Sequence, residues 1–273
     1  MLNLLRIGYI VPFIVLKNYS EEAILVKLLG QSEVIAILPR SAMIRNYKIG
    51  DTGFGCITMI DRARILLSQK SPLYVRKMLE YLLADAIIGN KLKIKKIAGM
   101  RKSRFYKVAI GSVYDVNPKK AEVVLNNGES INNDTVEFFA DEDDPVAENE
   151  VIPEQYIIKS NEELFERLKP VLKDIDFKEY FEENTKFSFV RFSYDKKEYV
   201  LNALCPPGKR ESIYKVIYYS EMNRVSLLME NSSVGFLKGK NGENIAIATK
   251  LCDVEIEVNG VSNEVYNKFL ERR

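Results

Sequence analysis

Five short apolar runs follow one another in residues 7–68, and their spacing constrains the fold more than any other feature of the chain. Turn-forming residues interrupt the runs at 18–20, 30–32 and 48–51. Strands this short and this closely spaced predict a small closed barrel of OB-fold size, and several barrels of that class bind single-stranded nucleic acid. The predicted strands cover residues 7–17, 23–29, 34–38, 53–60 and 64–67.

The charge of the chain is divided unevenly along its length. The net formal charge is only +2, but residues 1–118 carry 19 basic and 8 acidic side chains, a net +11. Residues 119–183 carry 7 and 19, a net −12, and residues 184–273 carry 14 and 11, a net +3. The near-neutral total therefore does not argue against a polyanionic partner, because the basic and acidic regions are separate.

Composition excludes several classes of enzyme. The chain has no histidine, which removes Ser-His-Asp and Cys-His catalysis and zinc sites with imidazole ligands. It also lacks a P-loop and a paired-carboxylate motif, so that a metal-dependent nuclease is the remaining enzymatic alternative. Cys56, Cys205 and Cys252 lie too far apart for a disulfide framework or a C-x-x-C metal pair. We expect a non-catalytic cytoplasmic protein without cofactor or metal.

The apolar residues at the start of the chain have two interpretations. Residues 7–16 are about half the length of a membrane span and include Gly8 and Pro12, although residues 1–16 faintly resemble a signal peptide. No small-residue cleavage site follows them. A first β-strand is the favoured interpretation, and no membrane association is expected.

A helix and a second pair of strands are predicted after the barrel. Ser71 and Pro72 form a helix start with proline in the first turn, and apolar residues recur at helical spacing behind them. Strands are then predicted at 91–98 and 105–110. The turn that joins them, residues 99–104, carries the three positive charges of Arg101, Lys102 and Arg104.

An acidic segment separates these strands from the next helix. Residues 134–154 have the composition of a solvated insertion and include the acidic run 141–144. Helical periodicity returns over residues 162–181, with Ser160 or Asn161 as the N-cap. Pro170 lies inside this stretch, so the helix should be kinked or split there.

The last ninety residues combine strands and helices around a glycine turn. Predicted strands cover 187–192, 212–219, 224–229 and 254–258, and a short helix covers 196–204. Gly239 and Gly242, three residues apart, are expected directly after a strand and before a helix with Ile245, Ala248 and Leu251 on one face.

Gly239-Lys240-Asn241-Gly242 is the most informative local motif. Two glycines let the backbone turn sharply and approach a ligand, while the following helix N-terminus favours a phosphate. Lys238 and Lys240 add positive charge at the same point. KH domains use a G-x-x-G loop to clamp a nucleic-acid backbone, and an ordinary tight turn is the alternative.

Several motifs resemble the NusA family of bacterial transcription termination and antitermination factors. The segment from Leu237 to Ile256 is similar to the family's second KH domain, A-I-G-K-x-G-Q-N-V-x-L-A, with Glu243 where the family has glutamine. Further similar stretches are Leu38-Pro39-Arg40, Tyr47-x-x-Gly50-Asp51, Ile65-Leu-Leu-Ser68, Pro72-x-x-Val75-Arg76-Lys77, Ile94-x-x-Ile97-Ala98, Arg104-x-x-Lys107-Val108 and Tyr199-Val-Leu-Asn202-Ala-Leu204-Cys-Pro206.

This resemblance implies an α+β multidomain protein. It predicts an S1-type OB-fold barrel in residues 1–70, a divergent first KH domain in 71–204 and a second KH domain in 205–273. The first KH domain has no G-x-x-G and carries an acidic insertion at about 119–158 instead. The chain opens at the barrel's first strand, so we expect it to lack the family's N-terminal polymerase-binding domain.

The candidate RNA-binding residues fall in three regions. Around the glycine turn they are Lys238, Gly239, Lys240, Asn241, Gly242, Asn244 and Ile245, with an apolar groove beside Ile245 and Ile247 for bases. In the charged turn they are Arg101, Lys102 and Arg104. In the barrel and just after it, Arg40 belongs to a basic track or is an ordinary surface charge, and the same holds for Arg45, Arg62, Arg64, Lys70, Arg76 and Lys77. Tyr9 and Phe13 on the first strand either stack on bases or pack in the core.

Two functions fit these features. The favoured one is single-stranded RNA binding that modulates pausing, termination or antitermination, with RNA polymerase and other transcription factors as the partners the resemblance implies. The alternative is an interaction scaffold, in which the acidic first KH domain binds a basic protein surface or shields the RNA-binding face.

Overall fold

The computed structural model describes residues 5–30, 34–61, 64–100, 104–115, 156–205, 210–262 and 264–265. The chain forms two compact units. The first comprises Met1–Ile87, Gly99–Tyr106 and Leu168–Ser188, and the second comprises Ile88–Ala98, Lys107–Arg167 and Phe189–Arg273. The described elements form a closed barrel, two open sheets and the helices packed on them, so the α+β class is confirmed. The predicted domain boundaries and the two KH domains stay predictions.

The first unit contains the predicted five-stranded barrel. The strands are β1 Ile10–Ser20, β2 Ala23–Leu28, β3 Ile35–Pro39, β4 Thr52–Asp61 and β5 Arg64–Ser68. They close in the order β1-β2-β3-β5-β4, antiparallel except for the parallel β3–β5 pair, in which Ile37 lies opposite Leu66. Each predicted strand is confirmed to within a few residues.

Alternate residues of β1 fill the barrel. Val11, Phe13 and Val15 are buried, and the Phe13 ring has no exposed surface. It lies edge-on to the Tyr47 ring, with 5.5 Å between centroids. Gly53 is the register partner of Phe13, and a Cβ there would come within 2.8 Å of the Phe13 ring. Phe13 is therefore a core residue, and the prediction that it stacks on a base is wrong.

The helix after the barrel begins where it was predicted. Helix α1, Pro72–Leu82, starts with proline at its first position, and the Ser71 hydroxyl accepts a hydrogen bond from the Tyr74 amide at 3.0 Å. Tyr74 is buried and donates its hydroxyl proton to the Tyr180 carbonyl at 2.7 Å. Helix α2, Ala84–Gly89, follows.

The second sheet has the strand order β6-β7-β8. Strand β6 is Leu92–Met100, β7 is Phe105–Ser112 and β8 is Lys186–Arg191. The β6–β7 connection is shorter than predicted, because β6 extends through Gly99 and Met100.

Helix α3, Asn161–Leu172, is capped by Ser160, whose hydroxyl accepts from the Glu163 amide. A continuous helix to residue 181 is not formed, and the break predicted at Pro170 occurs just after Leu172. Pro170 lacks the amide that would bond the preceding turn, and the helix ends two residues later. A short 3-10 helix, Phe177–Glu179, follows it.

The third sheet lies in the second unit and has the order β11-β10-β9. Strands β9 Ile213–Tyr219 and β10 Arg224–Glu230 are antiparallel, whereas β10 and β11 Glu255–Val261 are parallel. Three helices of the same unit are α4 Lys196–Leu204, α5 Asn231–Lys238 and α6 Glu243–Cys252. The core includes Val200, Val225, Leu227, Leu237, Ile247 and Leu251.

Helix α5 was not predicted, and the expectation of a strand directly before the glycine turn is wrong. Ser232, Ser233 and Gly235 are weak helix formers, so the local signal is poor. Packing against β11 compensates, because Gly260 has no side chain where α5 approaches. A Cβ at Gly260 would lie 2.7 Å from the Val234 side chain.

Candidate nucleic-acid interface

The glycine turn connects the end of α5 to the start of α6. Its backbone is left-handed at three of its four residues, with φ of +72° at Gly239, +52° at Asn241 and +74° at Gly242. A Cβ at Gly239 would lie 2.8 Å from Asn244 Cβ and 3.2 Å from the Asn244 amide nitrogen, so this position requires glycine. A Cβ at Gly242 would meet open space.

Hydrogen bonds hold the turn in this shape. The Gly242 amide donates to the Gly239 carbonyl at 3.1 Å. The Asn244 side chain donates to the Leu237 carbonyl at 2.8 Å and joins the last turn of α5 to the first turn of α6. Asn244 thus has a positioning role in the turn, beyond the RNA contact predicted for it.

Positive charge surrounds the turn. Lys238, Lys240 and Asn241 are exposed, and Gly242 precedes the N-terminus of α6, where amide groups and the helix dipole favour an anion. The carboxylate of Glu243 in the first helical turn opposes this preference. The two lysines therefore give the turn its net positive charge.

The predicted apolar groove is only partly present. Ile245 is half-buried, but Ile247 has no exposed surface and packs in the core with Ala248 and Leu251. Its predicted role beside bases is wrong, because that face of α6 points into the unit.

The sequence patterns did not indicate Phe236, which is an exposed apolar residue near the turn. It lies on α5, three residues before Gly239, and is 56% exposed. With Ser212, Met229, Ser232, Ser233 and Leu237 it lines a cavity of about 140 Å³. The spacing of Val234 and Leu237 was the available sequence signal for this helix.

The candidate RNA-binding residues predicted in and near the barrel differ in exposure and in their hydrogen bonds. Tyr9 is 47% exposed and lies just before β1 rather than on it. Arg40 is exposed, and its guanidinium donates to the Asn18 side chain at 2.8 Å. Arg101 and Lys102 lie outside the described residues. So does the acidic insertion predicted at about 119–158, apart from residues 156–158.

Carboxylates neutralise part of the predicted basic track. Arg76 and Lys77 both pair with Glu80, at 3.0 and 2.8 Å. Lys70 and Arg104 share Glu182, with N–O distances of 2.9 and 3.7 Å. Lys70, Arg76 and Lys77 of the track and Arg104 of the charged turn therefore follow the ordinary pattern of paired surface charge.

Buried titratable groups lie in the core of the second unit. Lys107 is 4% exposed and donates to the Ala203 carbonyl at 2.6 Å. Burial lowers the pKa of Lys107 to about 8 and raises the pKa of Cys205 to about 11 and that of Cys252 to about 12. These thiols are therefore protonated at neutral pH.

Neither a metal-binding cluster nor a membrane-spanning helix occurs in the part of the chain that the structure describes. Within those ranges, cysteine, aspartate and glutamate side chains do not gather in groups of three or more that could hold a metal ion. None of the described helices combines the length and the apolar character needed to cross a membrane.

No protein-family model and no curated protein matches the chain. Among solved structures, a chain of the a/eIF2alpha-aDim2p-rRNA complex from Pyrococcus horikoshii OT3 is 17% identical, with a TM-score of 0.23, and the match covers 32% of this chain and 63% of that one. The intact alpha subunit of aIF2 from Pyrococcus abyssi is 19% identical, with a TM-score of 0.22 and coverages of 32% and 41%.

A third solved structure, that of APE1850, is 13% identical to the chain. Its TM-score is 0.31, and the match covers 66% of this chain and 96% of that one. The chain spans less than two thirds of the length of the two Pyrococcus proteins.

Proposed function

We propose that the chain is a non-catalytic binder of single-stranded RNA and that the glycine turn holds the RNA backbone. The observation that carries this proposal is the left-handed turn between α5 and α6, with exposed Lys238 just before it and exposed Lys240 within it. A phosphate can approach such a turn closely, because Gly242 presents no side chain and open space surrounds it.

Apolar surface beside the turn supports single-stranded rather than duplex RNA. Phe236 is exposed just before the turn, and Ile245 is half-buried just after it. Unpaired bases can stack on an aromatic ring or pack against an aliphatic side chain, whereas the bases of a duplex are already stacked on each other.

The double variant Lys238→Gln/Lys240→Gln should bind a single-stranded oligonucleotide on the order of tenfold more weakly at about 0.1 M salt, because two phosphate contacts are lost. The slope of log affinity against log salt should become shallower by roughly 1.4, since each contact with single-stranded RNA contributes about 0.7. Fluorescence anisotropy over a salt series measures both quantities.

The matched control is Lys215→Gln/Lys250→Gln, which makes the same charge change on β9 and in the last turn of α6. Both lysines are exposed. Its affinity and salt slope should change much less. Equal losses in the two double variants would mean that overall charge, and not the glycine turn, attracts the RNA.

A second pair of variants tests the turn without removing a lysine. Gly242→Asp and Gly242→Asn both fit the open space, and both residue types tolerate left-handed backbone. Gly242→Asp should bind RNA far more weakly than Gly242→Asn, because only the aspartate repels phosphate. Similar affinities at similar melting temperatures would contradict phosphate binding at this turn.

We further propose that the bound RNA is a nascent transcript and that the chain modulates pausing, termination or antitermination by bacterial RNA polymerase. The motifs similar to the NusA family support this role. A single-round transcription assay should show altered pause lifetimes with the parent chain and a smaller effect with Lys238→Gln/Lys240→Gln. RNA binding without any effect on elongation would contradict the transcription role alone.

A further inference from the structure

One carboxylate of the first unit sits between two cations from different parts of the chain. Glu182 precedes β8, and its two carboxylate oxygens lie 2.9 Å from Lys70 Nζ and 3.7 Å from Arg104 Nε. Lys70 follows the last barrel strand, and Arg104 precedes β7. All three side chains are partly exposed, so a ligand in solution can reach them.

Contacts other than Glu182 fix the position of Arg104. Its backbone is left-handed, with φ of +53°, and its amide donates to the Met100 carbonyl at 2.9 Å. Its guanidinium Nη1 donates to the Glu183 carbonyl at 2.8 Å. The positive charge is therefore held in place by the backbone and does not depend on the Glu182 carboxylate.

A cleft of about 190 Å³ adjoins this group. Lys70 and Glu182 are part of its lining, together with the hydroxyl-bearing Ser41, Ser68 and Thr185 and the half-buried ring of Tyr106. The volume is several times the roughly 30 Å³ that one water molecule occupies in the liquid. The cleft thus offers hydroxyl groups, an aromatic ring and the Lys70 ammonium to a nucleotide, and Arg104 lies beside the other oxygen of Glu182.

We propose that the Glu182 carboxylate occupies the place of an RNA phosphate between Lys70 and Arg104 and masks a second backbone-binding site on the first unit. This inference rests on the proposed RNA binding and extends it to a separate site. Partly exposed ion pairs contribute little net stability, so the chain should fold without this carboxylate. In the parent the carboxylate keeps phosphate from both cations. Masking therefore lowers RNA affinity, while the glycine turn still binds.

The test compares Glu182→Gln with Glu183→Gln, because both remove one negative charge at adjacent positions. The Glu183 side chain is exposed, and only its carbonyl contacts Arg104. Glu182→Gln should bind a 12-nucleotide oligouridine about three- to tenfold more tightly than the parent, and its salt slope should steepen by about 0.7 for each phosphate gained. Glu183→Gln should show only a small gain and an unchanged slope.

Adding Lys70→Gln to Glu182→Gln should remove most of the gain, because Arg104 is then the one unmasked cation that is left. Equal affinity in Glu182→Gln and Glu183→Gln would overturn the proposal, as would a gain that Lys70→Gln does not reduce. If Glu182→Gln proves unstable, the salt slope of RNA affinity is compared between the parent and Lys70→Gln. Because Lys70 is masked in the parent, its removal should leave the slope unchanged, and a shallower slope overturns the proposal.

The same comparison in the Lys238→Gln/Lys240→Gln background separates this inference from the proposed function. With the glycine turn weakened, Glu182→Gln should still raise affinity by the same factor. If Lys238→Gln/Lys240→Gln binds RNA as tightly as the parent, the proposed role of the glycine turn is wrong. If Glu182→Gln does not raise RNA affinity in that background, only the proposal of a masked site is overturned.

Discussion

Replacing Phe13 by alanine should lower the free energy of unfolding by about 3–5 kcal/mol, the usual cost of deleting a buried phenyl ring. The ring has no exposed surface and packs edge-on against Tyr47 in the middle of the barrel. Neighbouring strands cannot close the cavity, because backbone hydrogen bonds around the barrel fix their spacing. Urea denaturation monitored by circular dichroism measures the loss.

Two further variants distinguish a core residue from a base-stacking one. Phe13→Leu should cost much less stability than Phe13→Ala and should keep parental RNA affinity, because no base contacts the ring. Tyr9→Ala removes a half-exposed ring and should change stability by less than about 1 kcal/mol. A stable Phe13→Leu variant that loses RNA affinity would contradict the core assignment.

The second large effect concerns Lys107, which should make the free energy of unfolding depend on pH. Burial lowers the pKa of Lys107 from its ordinary value of 10.5 to about 8 in the folded chain. Between these two values the unfolded chain binds a proton at this amine and the folded chain does not. The contribution of Lys107 to stability therefore rises with pH from about 8 to about 10.5, by roughly 3 kcal/mol in total.

The buried cysteines oppose this rise at higher pH. Burial raises the pKa values of Cys56, Cys205 and Cys252, so their contribution to stability decreases above pH 9, where the thiols of the unfolded chain ionise. The difference between the parent and Lys107→Met isolates the lysine. That difference should shift in favour of the parent by about 1 kcal/mol between pH 8 and pH 9.

Urea denaturation of both chains at pH 7, 8 and 9, in the presence of a reductant, measures this difference. Lys250→Met is the matched control, because Lys250 is exposed in the last turn of α6. Its stability curve should run parallel to that of the parent. A constant difference between the parent and Lys107→Met across this range would contradict a buried amine of lowered pKa.

Local sequence patterns predicted those elements that are stabilised by contacts between segments close together in the sequence. The barrel strands were predicted because antiparallel pairs such as β1–β2 need only alternating apolar residues and turns. Ser71 and Pro72 marked the start of α1 because capping involves residues three positions apart. Helix α4 was predicted over the same residues that the structure assigns to it.

The errors arose where distant residues decide the local structure. Helix α5 depends on a close approach to Gly260, about 26 residues further along the chain. Tyr9 just before β1 and Phe13 on β1 are both aromatic, and only closure of the barrel makes one half-exposed and the other buried. Propensity and periodicity contain no information about which face a closed barrel turns inward.

The glycine turn and its lysines were evident from residues 238–242 alone, because four consecutive residues determine where the backbone can turn and where positive charge is exposed. The position of Glu182 between Lys70 and Arg104 was not, since the three residues come from segments separated by more than thirty residues each. The sequence places such charges on the chain, but their pairing depends on long-range packing, and only tertiary structure brings Lys70 and Arg104 within 4 Å of the Glu182 carboxylate.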